Sequence, residues 1–310
     1  MKAAICTKYG QPEVLQIQEL PVPQIGKNEI LVRVEATSVT SSDCYVRAFS
    51  VPLLLKPLMG MVVGFSKPRM KVLGMVYSGT IVGKDKNVEY FSIGDKVYGF
   101  DRFNFSAYAE YKIVKGNGVF GISPKNLNFV ESAAIPYGAT LAFYYLKKAN
   151  ITTRKHVLVI GASGAVGSSA VQLANYYKSE VVGICSSANS MMVQDLGAKR
   201  TIDYKADSYL CMEDRFDLVF NCVPAAGRKK DENKKKYEHL LSKEGIYIDV
   251  SKGTPVLNVV DLQKITELVE MNALKPVIDR IYNLEEIADA HRYVESWHKK
   301  GSVIVKIGKT

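Results

Sequence analysis

The first third of the chain alternates apolar and polar residues over short stretches, and glycine and proline separate these stretches. Alternation with a period of two is typical of strands that bury one face. Many short strands separated by turn residues indicate a small barrel-like β domain. We expect these strands at Ala3–Ile5, Leu15–Ile17, Ile30–Ala36, Val72–Val82, Lys96–Phe100 and Tyr108–Val114.

Near Ser123 the pattern changes, and strands rich in valine and isoleucine alternate with stretches of helical spacing. Buried strands joined by helices are typical of a doubly wound parallel sheet. Five such strands are predicted, at His156–Ile160, Val181–Cys185, Arg200–Ile202, Asp217–Phe220 and Ile246–Val250. Helices are predicted at Val130–Lys148, Ala165–Tyr177, Asn189–Leu196 and from Asp261 to about Asn272. The chain then ends in a strand, a helix and a strand, at Pro276–Ile281, Leu284–Trp297 and Ser302–Ile307.

A glycine-rich turn joins the first strand of this sheet to the helix that follows it. In the pattern G-x-G-x-x-G, Ala162 takes the place of the first glycine, and Gly164 and Gly167 are the second and third. Gly164 would let the backbone approach a pyrophosphate, and the N-terminus of the helix would bind its charge. We predict that the dinucleotide is held by Gly161, Ala162, Ser163, Gly164, Ala165, Val166 and Gly167. A tight turn without a ligand is the alternative.

The end of the second strand of this sheet discriminates between NAD and NADP. An acidic residue there would bind the ribose 2′-hydroxyl of NAD and would repel a 2′-phosphate. Here no acid follows Cys185, and three polar uncharged residues stand in its place: Ser186, Ser187 and Asn189. Together with Lys205 they favour NADP(H). The alternative is that they only cap the next helix, and the two roles are compatible.

Composition excludes several classes of protein. Hydrophobic residues make up 47% of the chain and charged residues 23%, which is typical of a globular protein and not of a disordered or fibrous one. Met1–Gly10 lacks the apolar core of a signal peptide, and the apolar stretch Val51–Phe65 is too short and interrupted to span a bilayer. We therefore expect a cytoplasmic protein. Its five cysteines contain no Cys-x-x-Cys pair and are interpreted as buried thiols.

The formal net charge is +10, from 41 Lys and Arg against 31 Asp and Glu. Such an excess attracts phosphorylated cofactors or acidic macromolecules. The densest basic run, Arg228–Lys236, is interpreted as solvated surface. Binding of nucleic acid is a minor alternative, because no aromatic residues lie between the basic ones.

These features together resemble the medium-chain dehydrogenase/reductase superfamily, and within it the zinc-free quinone oxidoreductase branch. The resemblance covers essentially the whole chain. It rests on Met1–Ala4, Gly10–Leu15, Gly94–Val97, Ala133–Pro136, the glycine-rich turn, Lys275–Arg280 and Ala290–Arg292.

The resemblance implies an α/β fold with two domains. Residues 1–122 and 274–310 would form a GroES-like β-barrel catalytic domain. Residues 123–273 would form a Rossmann domain, whose doubly wound parallel sheet binds NADP(H). The cleft between the domains would hold the nicotinamide.

The resemblance also implies roles for single residues of the Rossmann domain. Thr140 would lie near the nicotinamide and Tyr204 near the adenosine 2′-phosphate, while Asn221 and Val250 would lie at the cofactor edge of the sheet. The connection from Val250 to Asp261 is short for the superfamily, which commonly dimerises through a sixth strand at this place. The sequence therefore does not decide whether the protein forms a homodimer.

Zinc-dependent relatives place a cysteine after an early strand and a His-Glu pair in a Gly-His-Glu turn. The corresponding residues here are Thr40 and Gly74–Val76, none of which is a good ligand for zinc. We interpret the four histidines as strand-edge or solvated helix residues: His156, His239, His291 and His298. The sequence therefore predicts no metal.

Without zinc, hydride addition to a quinone or an α,β-unsaturated carbonyl is easier than oxidation of a simple alcohol, because conjugation spreads the developing charge. The resemblance implies that the substrate contacts lie in Thr40–Arg47. Thr40 and Ser41 are candidate hydrogen-bond donors, and Tyr45 is the candidate for stacking or hydroxyl donation. Packing of Tyr45 under the barrel is the alternative. Asp43 and Arg47, four residues apart, are expected to form a structural ion pair.

The predicted partner is a small apolar carbonyl compound or quinone. Val51–Phe65 is interpreted as a wall or lid of its pocket, with extra core or shallow membrane contact as alternatives. Two other functions stay open. One is a zinc-free reductase of aldehydes or ketones, and the other is an NADPH-binding module without catalysis that contacts nucleic acid or a membrane.

Overall fold

The computed structural model describes residues 1–50, 56–102, 104–206, 213–224 and 232–308. Some features singled out in the sequence lie outside these ranges, namely Cys211, positions 228–230 of the basic run and positions 51–55 of the apolar stretch. The chain divides into two units. The first comprises Met1–Pro136 and Ile278–Thr310, and the second comprises Tyr137–Val277.

Strands and helices follow one another along both units. The strands are β1 (Lys2–Cys6), β2 (Leu15–Glu19), β3 (Glu29–Val39), β4 (Val76–Lys84), β5 (Lys96–Phe100), β6 (Tyr111–Lys115), β7 (Phe120–Ile122), β8 (His156–Ile160), β9 (Glu180–Cys185), β10 (Arg200–Asp203), β11 (Phe216–Asn221), β12 (Leu241–Asp249), β13 (Ile278–Asn283) and β14 (Ser302–Lys306). The α-helices are α1 (Ser41–Ala48), α2 (Lys56–Val63), α3 (Phe129–Ala134), α4 (Pro136–Lys148), α5 (Ala165–Tyr176), α6 (Ser190–Asp195), α7 (Glu232–Tyr237), α8 (Val259–Glu270) and α9 (Ile287–Glu295). None of these described helices is long and apolar enough to cross a membrane.

In the first unit, seven strands form one sheet around β3. The order is β13-β14-β3-β4-β5-β7, and β6 pairs with the first half of β3. All pairings are antiparallel except that of β13 with β14, and β1 and β2 form a separate antiparallel pair. Ile30, Val32 and Val34 are fully buried, so the period-two pattern of β3 gives one face of the core, as predicted.

Two strands of this sheet begin later than the sequence pattern predicts. A strand was expected from Val72, but Gly74 adopts a φ of 94°, and β4 begins only after this left-handed residue. A strand was also expected from Tyr108, but Ala109 forms an isolated antiparallel bridge with Ala3 of β1, and β6 begins only at Tyr111. The first strand is thus shortened by a single backbone conformation, and the second by pairing with another strand.

The second unit contains a five-stranded parallel sheet in the order β10-β9-β8-β11-β12. Leu158, Val182 and Val219, on three neighbouring strands, are almost completely buried. Helices α5, α6 and α7 join β8 to β9, β9 to β10 and β11 to β12, in agreement with the predicted doubly wound sheet. The described residues between β12 and α8 form no sixth strand.

The predicted helix Val130–Lys148 is two helices, α3 and α4. Pro136 begins α4, where its missing N–H costs no hydrogen bond, and it interrupts the helical spacing. Ser302 Oγ donates to the carbonyl of Ala134 at 3.0 Å and so ties α3 to β14 of the first unit. The division between the units therefore follows α3, later in the chain than the boundary expected after residue 122.

Candidate cofactor and substrate sites

The glycine-rich turn begins where β8 ends. Gly161 adopts a left-handed φ of 74°, which glycine reaches without steric cost. The N–H groups of Gly161 and Ala162 both donate to the carbonyl of Ile184 at 2.9 Å, so the turn is tied to the end of β9. The conformation that requires glycine thus falls one residue before the first glycine of the pattern. This is why a fully buried Ala162 is tolerated there.

Gly164 and Gly167 serve different purposes in this turn. A Cβ on Gly167 would overlap the carbonyl oxygen of Gly161, because α5 packs directly on the turn. A Cβ on Gly164 would meet no atom closer than the same oxygen, at 3.5 Å. Gly167 is therefore needed for packing, whereas Gly164 leaves open space on the turn.

Helix α5 begins at this open space. Gly164 is its N-cap residue, and no side chain caps the helix. Ala165, Val166 and Gly167 belong to the first turn, whose N–H groups have no acceptor within a helix, and the half-buried Ser163 precedes them. An uncapped helix N-terminus attracts anions through these N–H groups and the helix dipole. The arrangement is suited to a phosphate or pyrophosphate.

The turn after β9 is bound to an acidic residue from the neighbouring strand. Ser186 starts a short 3-10 helix that contains Ser187 and Asn189. Ser187 donates to Asp203 Oδ2 from its hydroxyl and, at 3.1 Å, from its N–H. These hydrogen bonds lower the pKa of Asp203. Sequence reasoning looked for an acid only after β9 and missed Asp203, which the pairing of β10 with β9 brings to this place.

Positive charge and an aromatic ring follow Asp203. The N–H of Tyr204 donates to the carbonyl of Cys185 at 3.1 Å, and the Tyr204 side chain is 45% exposed. Lys205 donates from its N–H to Asp203 Oδ1 at 2.9 Å, and Lys236 Nζ donates to the carbonyl of Tyr204 at 3.4 Å. The residues predicted around the 2′-phosphate thus lie at the ends of two paired strands.

A second group of polar residues lies at the ends of β11 and β12. Asn221 Nδ2 donates to Asp249 Oδ2 at 2.9 Å, and Asn221 Oδ1 accepts from the N–H of Val223 at 3.2 Å. The N–H of Val250 donates to the carbonyl of Asn221 at 2.9 Å, and the Tyr145 hydroxyl donates to the carbonyl of Val250 at 3.1 Å. The structure brings Asn221 and Val250 together and adds Asp249, which the sequence did not single out.

Helix α4 carries Thr140, which is 5% exposed. A Cβ on Gly138 of the same helix would overlap the carbonyl oxygen of Ala165, so the start of α4 lies directly against the start of α5. Because all five strands run in one direction, the glycine-rich turn, the turn after β9 and Asn221 share the carboxyl edge of the sheet. This is the edge where open α/β sheets bind ligands.

In the first unit, α1 begins with a capping box. Thr40 Oγ1 accepts from the N–H of Asp43 at 3.2 Å, and the Asp43 carboxylate accepts from the N–H of Thr40 at 2.9 Å. The Thr40 hydroxyl also donates to Asp43 Oδ2 at 2.6 Å. Asp43 therefore holds the only hydroxyl proton of Thr40. Ser41, the first helical residue, is 7% exposed.

A chain of buried polar side chains continues from Asp43. The Tyr108 hydroxyl faces the Asp43 carboxylate and lies 3.1 Å from His291 Nε2, while His291 Nδ1 lies 3.5 Å from Cys44 Sγ. A carboxylate cannot donate, so Tyr108 donates to Asp43 and accepts from His291 Nε2. His291 Nδ1 then accepts from the Cys44 thiol. The hydrogen bonds thus run in one direction, from Cys44 to Asp43.

Burial determines which of these hydrogen-bonded side chains are charged. It lowers the pKa of His291 to about 3 and raises that of Asp43 to about 6, although hydrogen bonds from Thr40 oppose the shift of Asp43. Burial also raises the pKa of the Tyr108 hydroxyl and of the Cys44 thiol. Cys44 is therefore a protonated structural thiol rather than a nucleophile.

The interpretation of all four histidines as strand-edge or solvated residues is wrong for His291, which is fully buried. The sequence does contain a signal for this position. Ile287, Ala290, His291 and Val294 follow one another at helical spacing and form the buried face of α9. A histidine on an apolar helix face needs buried partners, and Tyr108 and Cys44 provide them.

The ion pair expected between Asp43 and Arg47 does not form. Asp43 is bound to Thr40, and the fully buried Arg47 pairs instead with Glu295 of α9. Arg47 also donates to the carbonyl of Gly10 at 2.7 Å. The i, i+4 spacing predicts pairs on a solvated helix surface. Here both side chains enter the core, where other elements supply their partners.

Tyr45 lies half-buried on α1, and its ring tilts against that of Trp297, with 6.3 Å between the ring centroids. Trp297 is 48% exposed and is the only tryptophan of the sequence. The exposed part of the pair is mainly Trp297, because the hydroxyl of Tyr45 is buried. Stacking of a substrate on Tyr45 stays a prediction.

No group of three or more His, Cys, Asp and Glu side chains is placed to hold a metal ion in the described part of the chain. At the positions that correspond to zinc ligands in relatives, the Thr40 hydroxyl caps α1, and Gly74 forms a turn. Hydroxyl and backbone groups are poor ligands for zinc.

Comparisons with known proteins agree with this architecture. Residues 26–128 match the family described as alcohol dehydrogenase GroES-like domain, and residues 254–305 match the family described as zinc-binding dehydrogenase. The chain is 29% identical to 2-methylene-furan-3-one reductase of Solanum lycopersicum, over 98% of this chain and 79% of the relative. It is 26% identical to the chloroplastic NADPH-dependent alkenal/one oxidoreductase of Arabidopsis thaliana, with the same coverage. The structure of the quinone oxidoreductase from Coxiella burnetii superposes with a TM-score of 0.86, at 26% identity and 99% coverage of both chains.

The two units and these matches define a class of oxidoreductases that combine a GroES-like domain with a Rossmann sheet. The chain belongs to the medium-chain dehydrogenase/reductase superfamily, in its quinone oxidoreductase-like branch. This confirms the family inferred from the sequence and the α/β fold that it implies.

Proposed function

We propose that this oxidoreductase works without zinc, uses NADP(H), and transfers a hydride to a quinone or an α,β-unsaturated carbonyl compound. The proposal rests above all on the uncapped N-terminus of α5, which opens beside the free space at Gly164. The relatives support the substrate class, since they are named for a methylene-furanone, for alkenals and alkenones, and for quinones.

The glycine-rich turn fits a dinucleotide because a Cβ on Gly164 would fill the space that a pyrophosphate needs. The first turn of α5 would bind the pyrophosphate through its N–H groups. The 2′-phosphate would be held by Ser186, Ser187, Asn189, Tyr204 and Lys205. The nicotinamide end would contact Thr140, Asn221 and Val250. When bound, NADP(H) supplies the hydride, and the protein supplies orientation.

On the first unit we assign the substrate contacts to Tyr45, Ser41 and Thr40. Negative charge develops on the substrate oxygen during reduction, and a hydrogen-bond donor must stabilise it. The proton of Thr40 is held by Asp43, so Thr40 cannot donate to the substrate oxygen, and the donor role falls to Tyr45 or Ser41. Conjugation in a quinone or enone spreads the same charge. A few donors can therefore replace the Lewis acid of zinc-dependent relatives.

Cofactor binding and turnover after treatment with a metal chelator test this proposal. We expect NADPH to bind more tightly than NADH when nicotinamide fluorescence is titrated. NADPH absorbance should then decay with a 1,4-quinone and with an enone, at a rate that added zinc does not change. Turnover that requires zinc, or turnover of simple aldehydes and ketones alone, would contradict the proposal. Failure of both cofactors to bind would overturn the assignment of the glycine-rich turn.

The 2′-phosphate assignment predicts a selective effect at Lys205. Lys205→Ala should weaken NADPH binding about tenfold, because a charge-assisted contact to phosphate is lost, and should leave NADH binding unchanged. Asp203→Asn should have the opposite effect on NADPH, since it removes a negative charge beside the phosphate. Lys199→Ala is the matched control, because Lys199 pairs with Glu180 at the opposite end of β9. Equal weakening of NADH binding and NADPH binding in Lys205→Ala would show that Lys205 does not contact the 2′-phosphate.

A further inference from the structure

Between Asp43 and Asp85 the sequence contains no acidic residue and six basic ones. This is unusual in a chain where acidic residues are three-quarters as frequent as basic ones, 31 against 41. The segment includes α2 and the exposed stretch that follows it. Its positive charge is therefore not neutralised by neighbours in the sequence.

Two large apolar side chains of this segment are exposed to solvent. Met61, near the end of α2, is 55% exposed, and Phe65, just after the helix, is 60% exposed. The Phe65 ring lies against Gly60, where a Cβ would collide with it. Because position 60 has no side chain, the Phe65 ring packs on the surface of α2, and the ring stays exposed to solvent.

The backbone of this stretch is held at both ends. The Tyr9 hydroxyl donates to the carbonyls of Val63 and Gly64, at 3.0 and 2.7 Å, and the Tyr9 ring stacks on Phe49 with 4.6 Å between centroids. At the other end, the N–H of Cys6 donates to the carbonyl of Lys71 at 2.6 Å. Met61 and Phe65 are therefore presented by an anchored segment of the first unit.

Cations follow the two apolar side chains in the sequence, and the N–H of Arg69 donates to the carbonyl of Val63 at 2.8 Å. Lys67, Arg69 and Lys71 are exposed, and none of them pairs with a carboxylate of the described residues. Lys8 adds a fourth exposed cation close to Lys71. The carbonyl of Lys8 accepts from the thiol of Cys6, whose N–H is bound to Lys71. We call Met61, Phe65, Lys67, Arg69 and Lys71 the Met61–Lys71 surface.

We propose that the Met61–Lys71 surface docks on the anionic headgroups of a phospholipid bilayer. Phe65 and Met61 would enter the boundary between headgroups and acyl chains, and the cations would bind the negative surface. Both components are needed, because one or two apolar side chains alone give weak and reversible binding. A segment without acidic residues complements an anionic surface. In nucleic-acid sites, stacking aromatic residues alternate with basic ones. Here Met61 and Phe65 instead precede the three basic residues in the sequence.

Docking of this kind goes beyond the proposed reaction and does not depend on it. It would bring the first unit, which carries Tyr45, to a phase in which apolar molecules concentrate. Its test is a binding measurement without substrate, so failure of the docking proposal and failure of the proposed reaction are separate results.

Co-sedimentation of the full-length protein with vesicles tests the proposal. We expect binding to phosphatidylcholine vesicles that contain about 30% phosphatidylserine, and none to vesicles of phosphatidylcholine alone. Each cation near the surface strengthens binding about fivefold, so the triple variant K67A/R69A/K71A should bind about 100-fold more weakly. Phe65→Ser should also weaken binding, at unchanged net charge.

The matched control is the triple variant K148A/K234A/K235A, which removes the same charge from exposed positions of the second unit. It should bind like the unchanged protein, and circular dichroism should show that all variants are folded. Equal losses in the two triple variants would mean attraction by net charge alone and would overturn the proposal. So would a lack of binding to anionic vesicles. Tighter binding of single-stranded RNA through the same residues would assign the surface to nucleic acid instead.

Discussion

Gly167→Ala is expected to destabilise the second unit and to abolish tight binding of NADPH. A Cβ at this position would overlap the carbonyl oxygen of Gly161, which belongs to the backbone and cannot rotate away. Forcing an atom into a packed site costs about 1–3 kcal/mol. Alanine is the better helix former by about 1 kcal/mol, but α5 can use this gain only if it moves off the turn. The movement would displace the N–H groups that we assign to the pyrophosphate.

Gly164→Ala is expected to weaken NADPH binding without changing the stability of the fold. The backbone of Gly164 has φ −76° and ψ 175°, which alanine adopts without strain, and the added Cβ would lie 3.5 Å from its nearest neighbour. We expect a stability within about 0.5 kcal/mol of the unchanged protein. Binding of NADPH should still weaken by about tenfold or more, because the Cβ occupies the approach of the pyrophosphate.

Thermal unfolding and fluorescence titration of NADPH, applied to both variants, check these expectations. The expected pattern is a lowered melting temperature with loss of binding for Gly167→Ala, and an unchanged melting temperature with weakened binding for Gly164→Ala. Normal NADPH affinity in Gly164→Ala would show that the pyrophosphate does not approach the turn there. An unchanged melting temperature in Gly167→Ala would show that α5 does not depend on close packing at this glycine.

The parts of the fold that the sequence predicts well are those in which one local pattern determines the element. The alternation in β3 and the near-continuous apolar strands β8 and β9 each follow from burial of one or both faces. Element ends were less predictable, because they depend on single backbone conformations. The left-handed Gly74 shortens β4, and Pro136 divides a long helical pattern into two helices that belong to different units.

The candidate sites show the same limit. The glycine-rich turn could be recognised because its residues are contiguous and each glycine has a local steric purpose. Asp203 could not, because it reaches Ser187 only through the pairing of two strands. The contact between His291 and Tyr108 joins residues 183 positions apart. Its distance in sequence leaves no local pattern, although the buried face of α9 indicates that His291 must have partners.

The buried pair of Asp43 and His291 leads to a second large expected effect, on the pH dependence of stability. Burial lowers the pKa of His291 from its ordinary 6.5 to about 3, and it raises the pKa of Asp43 from 3.8 to about 6. As pH falls below 6.5, the unfolded chain protonates His291 while the folded chain does not, so acid destabilises the fold. As pH falls through 6, the folded chain protonates Asp43 while the unfolded chain does not until 3.8, so acid stabilises the fold.

One proton of difference between the two states changes the free energy of unfolding by about 1.4 kcal/mol per pH unit. Between about pH 4 and pH 6 the contributions of Asp43 and His291 therefore have equal slopes of opposite sign. Below about pH 4 the Asp43 contribution is constant, and the loss from His291 continues toward pH 3. In the unchanged protein the contributions of Asp43 and His291 to the free energy of unfolding therefore cancel between about pH 4 and pH 6.

Removing one group is expected to expose the other. In Asp43→Asn the free energy of unfolding of the first unit should fall on acidification, by about 1.4 kcal/mol per pH unit more than in the unchanged protein. In His291→Gln it should change by the same amount in the opposite direction. Urea unfolding at a series of pH values measures both slopes. Trp297 fluorescence is the probe, because the only tryptophan lies in the first unit. If the free energy of unfolding had the same pH slope in all three proteins, the pKa values of Asp43 and His291 would be the same in the folded and the unfolded protein. The buried side chains from Cys44 to Asp43 would then not control their charge.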